Sequence, residues 1–250
     1  MKVKPYIVTI VILIVWFLVT EFGNLSSYVL PGPQKVLSGL IKMLQTGELF
    51  VDTAISFGRV LKGFLIAFLL AFMLGIFRVA IPKATKYYEY ILHFFRNVPP
   101  LSMIPLLILW CGIGETTKTV IIVLASFFPM YLSIVKGFTG CDKRLLEVGT
   151  VFGYSSLEKF RYIILPQAMG DILVGMRIGM GYSWRAIIGA EMVAASTGLG
   201  HMILFSQQMS RTDKVIIGIF AIGFVGCITD KLFEVVMKKA FKGVLNDGGN

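Results

Sequence analysis

Long apolar runs separated by short basic segments make up most of the chain. A helix that crosses a bilayer needs about 20 apolar residues at a rise of about 1.5 Å each. Residues 6–22, 54–77, 90–111, 117–135, 172–195 and 215–236 approach that length. The pattern predicts an all-α, polytopic membrane bundle of about six transmembrane helices, taken as one domain over residues 1–250. The third run contains Pro99, Pro100 and Pro105, and the fourth contains Pro129. Proline removes a backbone donor and bends a helix, and the freed carbonyls must find partners inside the protein. Kinks that serve packing and kinks that line a pathway both remain open at this point. Between the first two runs, Pro31-Gly32-Pro33 signals a turn. Val36, Leu37, Leu40, Ile41 and Leu44 then recur at helical spacing, predicting a short amphipathic helix on the outer surface. Residues 196–213 read as an outer segment with polar ends, and residues 243–250 as a polar tail.

Basic residues set the orientation. An inside N-terminus places Lys2 and Lys4, then Arg78, Lys83 and Lys86, then Lys136, Lys143, Arg144, Lys159 and Arg161, then Lys238, Lys239 and Lys242 in the cytoplasm. Lys35, Lys42, Lys118, Arg211 and Lys214 fall on the other side, and Arg59 and Lys62 at the outer end of the second run weaken the asymmetry. Both termini are therefore expected inside. The first run follows a basic start but lacks a small-residue cleavage site, so it reads as an uncleaved span.

Composition supports this picture. Apolar residues make up 56% of the 250 and charged ones only 15%, against about 45–50% apolar in soluble domains. Mean hydropathy is +0.79. The net charge of +10 is assigned to inner loops beside anionic membrane lipid rather than to nucleic acid. Cys111, Cys141 and Cys227 are widely separated and form no metal-type spacing. No Gly-Lys dipeptide occurs, which excludes a G-x-x-x-x-G-K-[ST] phosphate loop. His93 and His201 are far apart, Ser183 lies in no G-x-S-x-G elbow, and no catalytic residue or metal site is expected.

The longest inner loop, about residues 137–170, is patterned rather than featureless. Asp142 can cap a helix from Lys143 whose apolar side carries Leu145, Leu146, Val148, Val151 and Phe152. Gly153 is placed to end it in a left-handed conformation. Ser155-Ser156-Leu157-Glu158 has the capping-box pattern of a second short helix, with Phe160, Ile163, Ile164 and Leu165, that Pro166 is expected to end. Two short helices with a sharp bend can pass on a push as a rigid body.

Glu147-Val148-Gly149, Gly153, Ile163 and Leu165-Pro166 resemble the EAA loop of ABC importer inner-membrane permeases, in which Glu-Ala-Ala is followed after three residues by Gly, and after nine more by Ile-x-Leu-Pro. The spacing fits at every position, with Val148 and Gly149 in place of the alanines. Asn97-Val98-Pro99-Pro100, Leu107-Ile108-Leu109-Trp110, Gly112-Ile113-Gly114-Glu115, Ala190-Glu191-Met192, Gly198-Leu199-Gly200 and Arg211-Thr212-Asp213 extend the resemblance, over about residues 30–233, to the nitrate, sulfonate and taurine branch. The resemblance implies a type I importer permease in a bacterial inner membrane. Glu147, Val148, Gly149, Gly153, Ile163, Leu165 and Pro166 would couple it to a pair of cytoplasmic ATP-binding subunits, which hold ATP and Mg; this chain holds no cofactor. A homodimer mate and a periplasmic or lipid-anchored substrate-binding protein complete the assembly. The solute would be a small anion of the sulfonate, taurine or nitrate class. A vitamin precursor such as a pyrimidine, a secondary transporter and a membrane scaffold are the alternatives.

Charges within apolar runs mark functional candidates. Asn97, Arg185 and Glu191 are the candidates for the translocation path. Arg185 and Glu191 are six residues apart and point about 120° apart on one helix, too far to pair. Arg185 can either grip an anion through two hydrogen bonds or form an ion pair between helices. Gly175, Gly179, Gly181 and Gly189 on the same run permit close helix approach.

Overall fold

The computed structural model describes residues 4–23 and 26–240; Lys2, Lys242 and the polar tail 243–250 lie outside the described residues. Among the described residues every regular element is helical. They are α1 (Lys4–Phe22), α2 (Pro33–Gln45), α3 (Glu48–Ala80), α4 (Thr85–Asn97), α5 (Ile104–Cys111), α6 (Glu115–Thr139), α7 (Lys143–Val151), α8 (Ser156–Lys159), α9 (Leu165–Ala194), α10 (Leu199–Gln208) and α11 (Thr212–Ala240).

Four helices are long and apolar enough to cross a bilayer: α3, α6, the continuous stretch Ser156–Ala194, and α11. The third apolar run is not one straight span. Helices Pro82–Asn97 and Pro100–Cys111 meet at 90° and together count as a broken fifth span. The cause is local. A residue before proline is pushed out of the helical region, and Val98, ahead of Pro99, sits at φ −82°, ψ 120°. The first run forms α1, whose apolar part, Ile7–Phe22, is shorter than the four full spans. Most of its apolar side chains are exposed, as suits a helix largely surrounded by lipid, while Trp16 is half-buried against the core.

Helix α6 lies at the centre, packed along α3 on one side and α9 on the other. Glycines bring the three backbones together. A Cβ on Gly63 or Gly75 of α3 would stand 2.6 Å and 2.7 Å from Ile122 and Ile134 of α6, and one on Gly175 or Gly179 of α9 would stand 2.6 Å from Ser133 and 2.5 Å from Met130. Val60, Ile121, Ile122, Met130, Ile134 and Ile187 fill the seam and are completely buried. Pro129 leaves α6 unbroken over its 25 residues.

Helix α2 forms where the spacing predicted it, with Pro33 in its first turn. Val36 and Met43 are buried, while Leu37, Ile41 and Leu44 face outward. Residues 196–213, read from sequence only as an outer segment, contain α10. At ten residues it is about 15 Å long, half a bilayer core.

Candidate functional site

The inner loop is built as its capping signals require. The Asp142 carboxylate accepts from the Arg144 N–H at 2.9 Å and starts α7. Gly153 adopts φ 76°. Its N–H donates to the Thr150 carbonyl at 3.0 Å and the Tyr154 N–H donates to the Gly149 carbonyl at 2.9 Å, which is the paired bonding of a Schellman ending. Ser155 and Glu158 complete the capping box in both directions, at 2.8 Å and 3.3 Å.

The second helix departs from expectation. Pro166 does not end it. After α8 the chain widens into a single π turn, Phe160–Ile164, and continues as α9, with Pro166 in the first turn of that helix. A proline ring clashes with the carbonyl four residues back, here that of Tyr162, which lies within the widened turn. The loop is therefore one free helix, α7, folded against the N-terminal extension of a membrane-length helix. Gly149 and Ile163 form the contact: a Cβ on buried Gly149 would lie 2.7 Å from Ile163 Cδ1. Lys159 Nζ donates to Thr150 Oγ1 at 2.8 Å and the Asp142 N–H donates to Gln167 Oε1 at 3.2 Å, so α7 is tied at both ends. Glu147 and Val148 remain exposed, and Val151, Phe152 and Leu157 stand 87%, 75% and 74% exposed around them. A cavity of about 790 Å³ lies between α7 and the C-terminal end of α3, with Glu147, Lys143 and Lys159 at its wall among Ile76, Leu146 and Phe160.

In the membrane half, the bend after α4 opens a cleft of about 430 Å³ against α6 and α9. Arg185 lines it beside Tyr182, Phe128, Pro129, Leu132 and Pro100. Its guanidinium lies 5.3 Å from the Tyr182 ring centroid, and among the described residues it makes no ion pair. Arg96, one residue before Asn97, lines the same cleft. Asn97 is exposed at the end of α4 and donates to the His93 carbonyl at 2.7 Å. The charge rule that singled out Arg185 applies equally to Arg96, which the sequence reading passed over. Arg177 does form an ion pair between helices, with Asp230 of α11 at 2.6 Å.

Glu191 lines neither the central cleft nor its neighbour. It is completely buried near the C-terminal end of α9. It accepts from Ser56 Oγ at 2.8 Å, Arg59 Nη1 at 2.7 Å and the Gly200 N–H at 3.0 Å. Asp52 accepts from the Gly198 N–H at 2.9 Å and Ser56 Oγ from the Leu199 N–H at 3.0 Å. Three side chains thus satisfy the open N-terminal donors of α10, a demand every helix start makes. Arg59 also bridges to Glu115 at 2.7 Å, and Lys118 Nζ reaches the same carboxylate at 2.6 Å. This clamp joins α3, α6, α9 and α10. From sequence, Arg59 counted only as a charge on the wrong side of the orientation balance. Its partners lie 56 and 132 residues away.

The described residues form a polytopic helix bundle in which the exposed helix α7 is braced against the extension of a membrane-length helix. Residues 63–242 match the family described as binding-protein-dependent transport system inner membrane component. The chain belongs to that family and is a permease subunit of an ABC importer, a class that works with an ATPase and a substrate-binding protein. It is 34% identical to the putative aliphatic sulfonates transport permease SsuC of Bacillus subtilis over 96% of this chain and 87% of that one. The taurine transport system permease TauC of Escherichia coli is 32% identical over 88% of this chain and 82% of its own. The bicarbonate transport system permease CmpB of Synechocystis is 29% identical over 76% and 68%. A chain from the MetNI methionine ABC transporter, solved facing inward, superposes with TM-score 0.55 over 77% of this chain and 97% of that chain; at 16% identity the likeness is one of fold.

Proposed function

We propose that the chain pairs with a second copy of itself in the bacterial cytoplasmic membrane, termini inward, and carries a small anion of the sulfonate, taurine or nitrate class into the cell. ATP and Mg act on the partner subunits, whose closure moves α7. The observation that carries this reading is the exposed surface around Glu147, Val148, Val151 and Phe152 on a helix braced against α9 through Gly149 and Ile163. A push on α7 is delivered along α9 to Arg185 in the cleft. Arg78, Lys136, Lys143, Arg144 and Arg161 gather at the α7 end of the bundle, which supports placing that end in the cytoplasm. Relatives named for sulfonate, taurine and bicarbonate transport support an anionic cargo.

The test is co-purification with the ATPase and reconstituted uptake. Glu147→Arg is expected to abolish ATP-driven uptake while the permease still folds, as read by its melting temperature. Uptake that persists without any ATPase subunit would overturn the reading.

A further inference from the structure

We infer that Arg96 and Arg185 together form a binding site for an organic anion with a short apolar tail, so the cleft selects such solutes over bare inorganic anions. This deepens the importer reading and rests on it. Both arginines line one cleft, and no carboxylate residue lines it with them. Neither makes an ion pair among the described residues; Arg59, Arg78, Arg177 and Arg211 do, and the other two without one, Arg144 and Arg161, lie in the segment between α6 and α9 and not in an apolar run. In the adjoining cleft, the carboxylate that shares a wall with Arg96 is Glu89, already held by Arg78 at 3.4 Å and facing His93 at 3.9 Å. Unpaired cations at membrane depth are rare and face water-filled paths or ligands. Arginine presents parallel donors that match a planar or tetrahedral oxyanion.

Size and lining decide the rest. The cleft holds about 430 Å³, within the range of about 300–1,000 Å³ typical of small-molecule sites. A nitrate or bicarbonate ion would leave most of it empty. The remaining walls include Phe128, Leu132, Leu101, Leu124 and Pro129, which offer an alkyl or aryl tail an apolar surface away from water. Tyr182 stacks near Arg185 and restrains its guanidinium at the boundary between cleft and tail wall. A sulfonate head on the two arginines with its tail toward α6 satisfies both halves of the cleft. An anionic lipid offers the same chemistry, so the test must separate the two sources.

The permease–ATPase complex in nanodiscs of phosphatidylcholine alone is titrated with butanesulfonate and, separately, with nitrate. Isothermal titration calorimetry reports binding. Saturable binding of butanesulfonate at least about tenfold tighter than nitrate is expected. Arg96→Gln and Arg185→Gln should each weaken it by about tenfold, the scale of a charge-assisted hydrogen-bond pair, and Arg185→Lys by less. Equal binding by the double Gln variant, equal affinity for nitrate, or no response to butanesulfonate overturns the site. A response that appears only when phosphatidylglycerol is added makes a lipid the occupant and overturns the solute assignment. ATP hydrolysis by the wild-type complex tests the importer reading separately, since it depends on α7 and not on the cleft.

Discussion

Glu191 carries the sharpest energetic consequence of any one side chain. It is fully buried and holds Ser56, Arg59 and a backbone N–H. Removing one partner of a buried pair leaves the other charge uncompensated, at about 3–5 kcal/mol. Arg59 keeps Glu115, so Glu191→Gln is expected to cost about 2–3 kcal/mol, seen as a lower melting temperature of the solubilised protein. Asp230→Asn should cost under about 1 kcal/mol, because that carboxylate is 53% exposed and screened and its partner Arg177 keeps Glu234. If both variants melt alike, the clamp is not what holds α10. The sequence shows an acid inside an apolar run and hence a candidate. It does not show that Ser56 and Asp52, ordinary residues of another helix, turn inward to meet the start of α10. Such a site exists only once distant helices are packed, and no local pattern encodes it.

At the scale of elements, the capping chemistry of the inner loop is fully legible. Asp142, Gly153 and the Ser155–Glu158 box stand where local rules place them, because each acts on its immediate backbone. Gly153→Ala forces a side chain into φ 76° and should destabilise by about 1–2 kcal/mol, read as faster proteolysis within the loop. Gly149→Leu is expected to be worse for coupling than for folding. It drives Ile163 away and lifts α7 from α9, so uptake should fall while the membrane bundle still assembles. Span existence is equally legible from hydrophobicity, but shape is not. Proline in the third run announces a bend without giving its 90°. The same residue type at Pro129 leaves α6 continuous, because α3 and α9 clamp that helix from both sides. The short helix α10 escaped notice because its ten residues carry no start signal of their own; its caps are borrowed.

At the scale of the whole molecule, α6 sits between α3 and α9 with almost no space to yield, so these three helices move as one body. Gly179→Leu, whose side chain would enter the space of Met130, should separate α6 from α9 and abolish uptake, a cost of several kcal/mol by overpacking. The π turn at Phe160–Ile164 sits at the edge of that body. An α-helix turns by about 100° per residue, so counting faces straight through this turn misplaces everything beyond it. The turn takes up a surplus residue and thereby lets the inner lever and the membrane portion of α9 keep separate phases. Loss of one residue inside it, such as Arg161, should leave Arg185 aimed into its cleft. Loss of one residue just beyond, such as Gly170, should swing Arg185 and Glu191 by about a quarter-turn and disarm both cleft and clamp. Paired single-residue deletions, compared by assembly with the ATPase and by uptake, would measure that difference. The chain thus contains a point where its length can change by one without disturbing its aim.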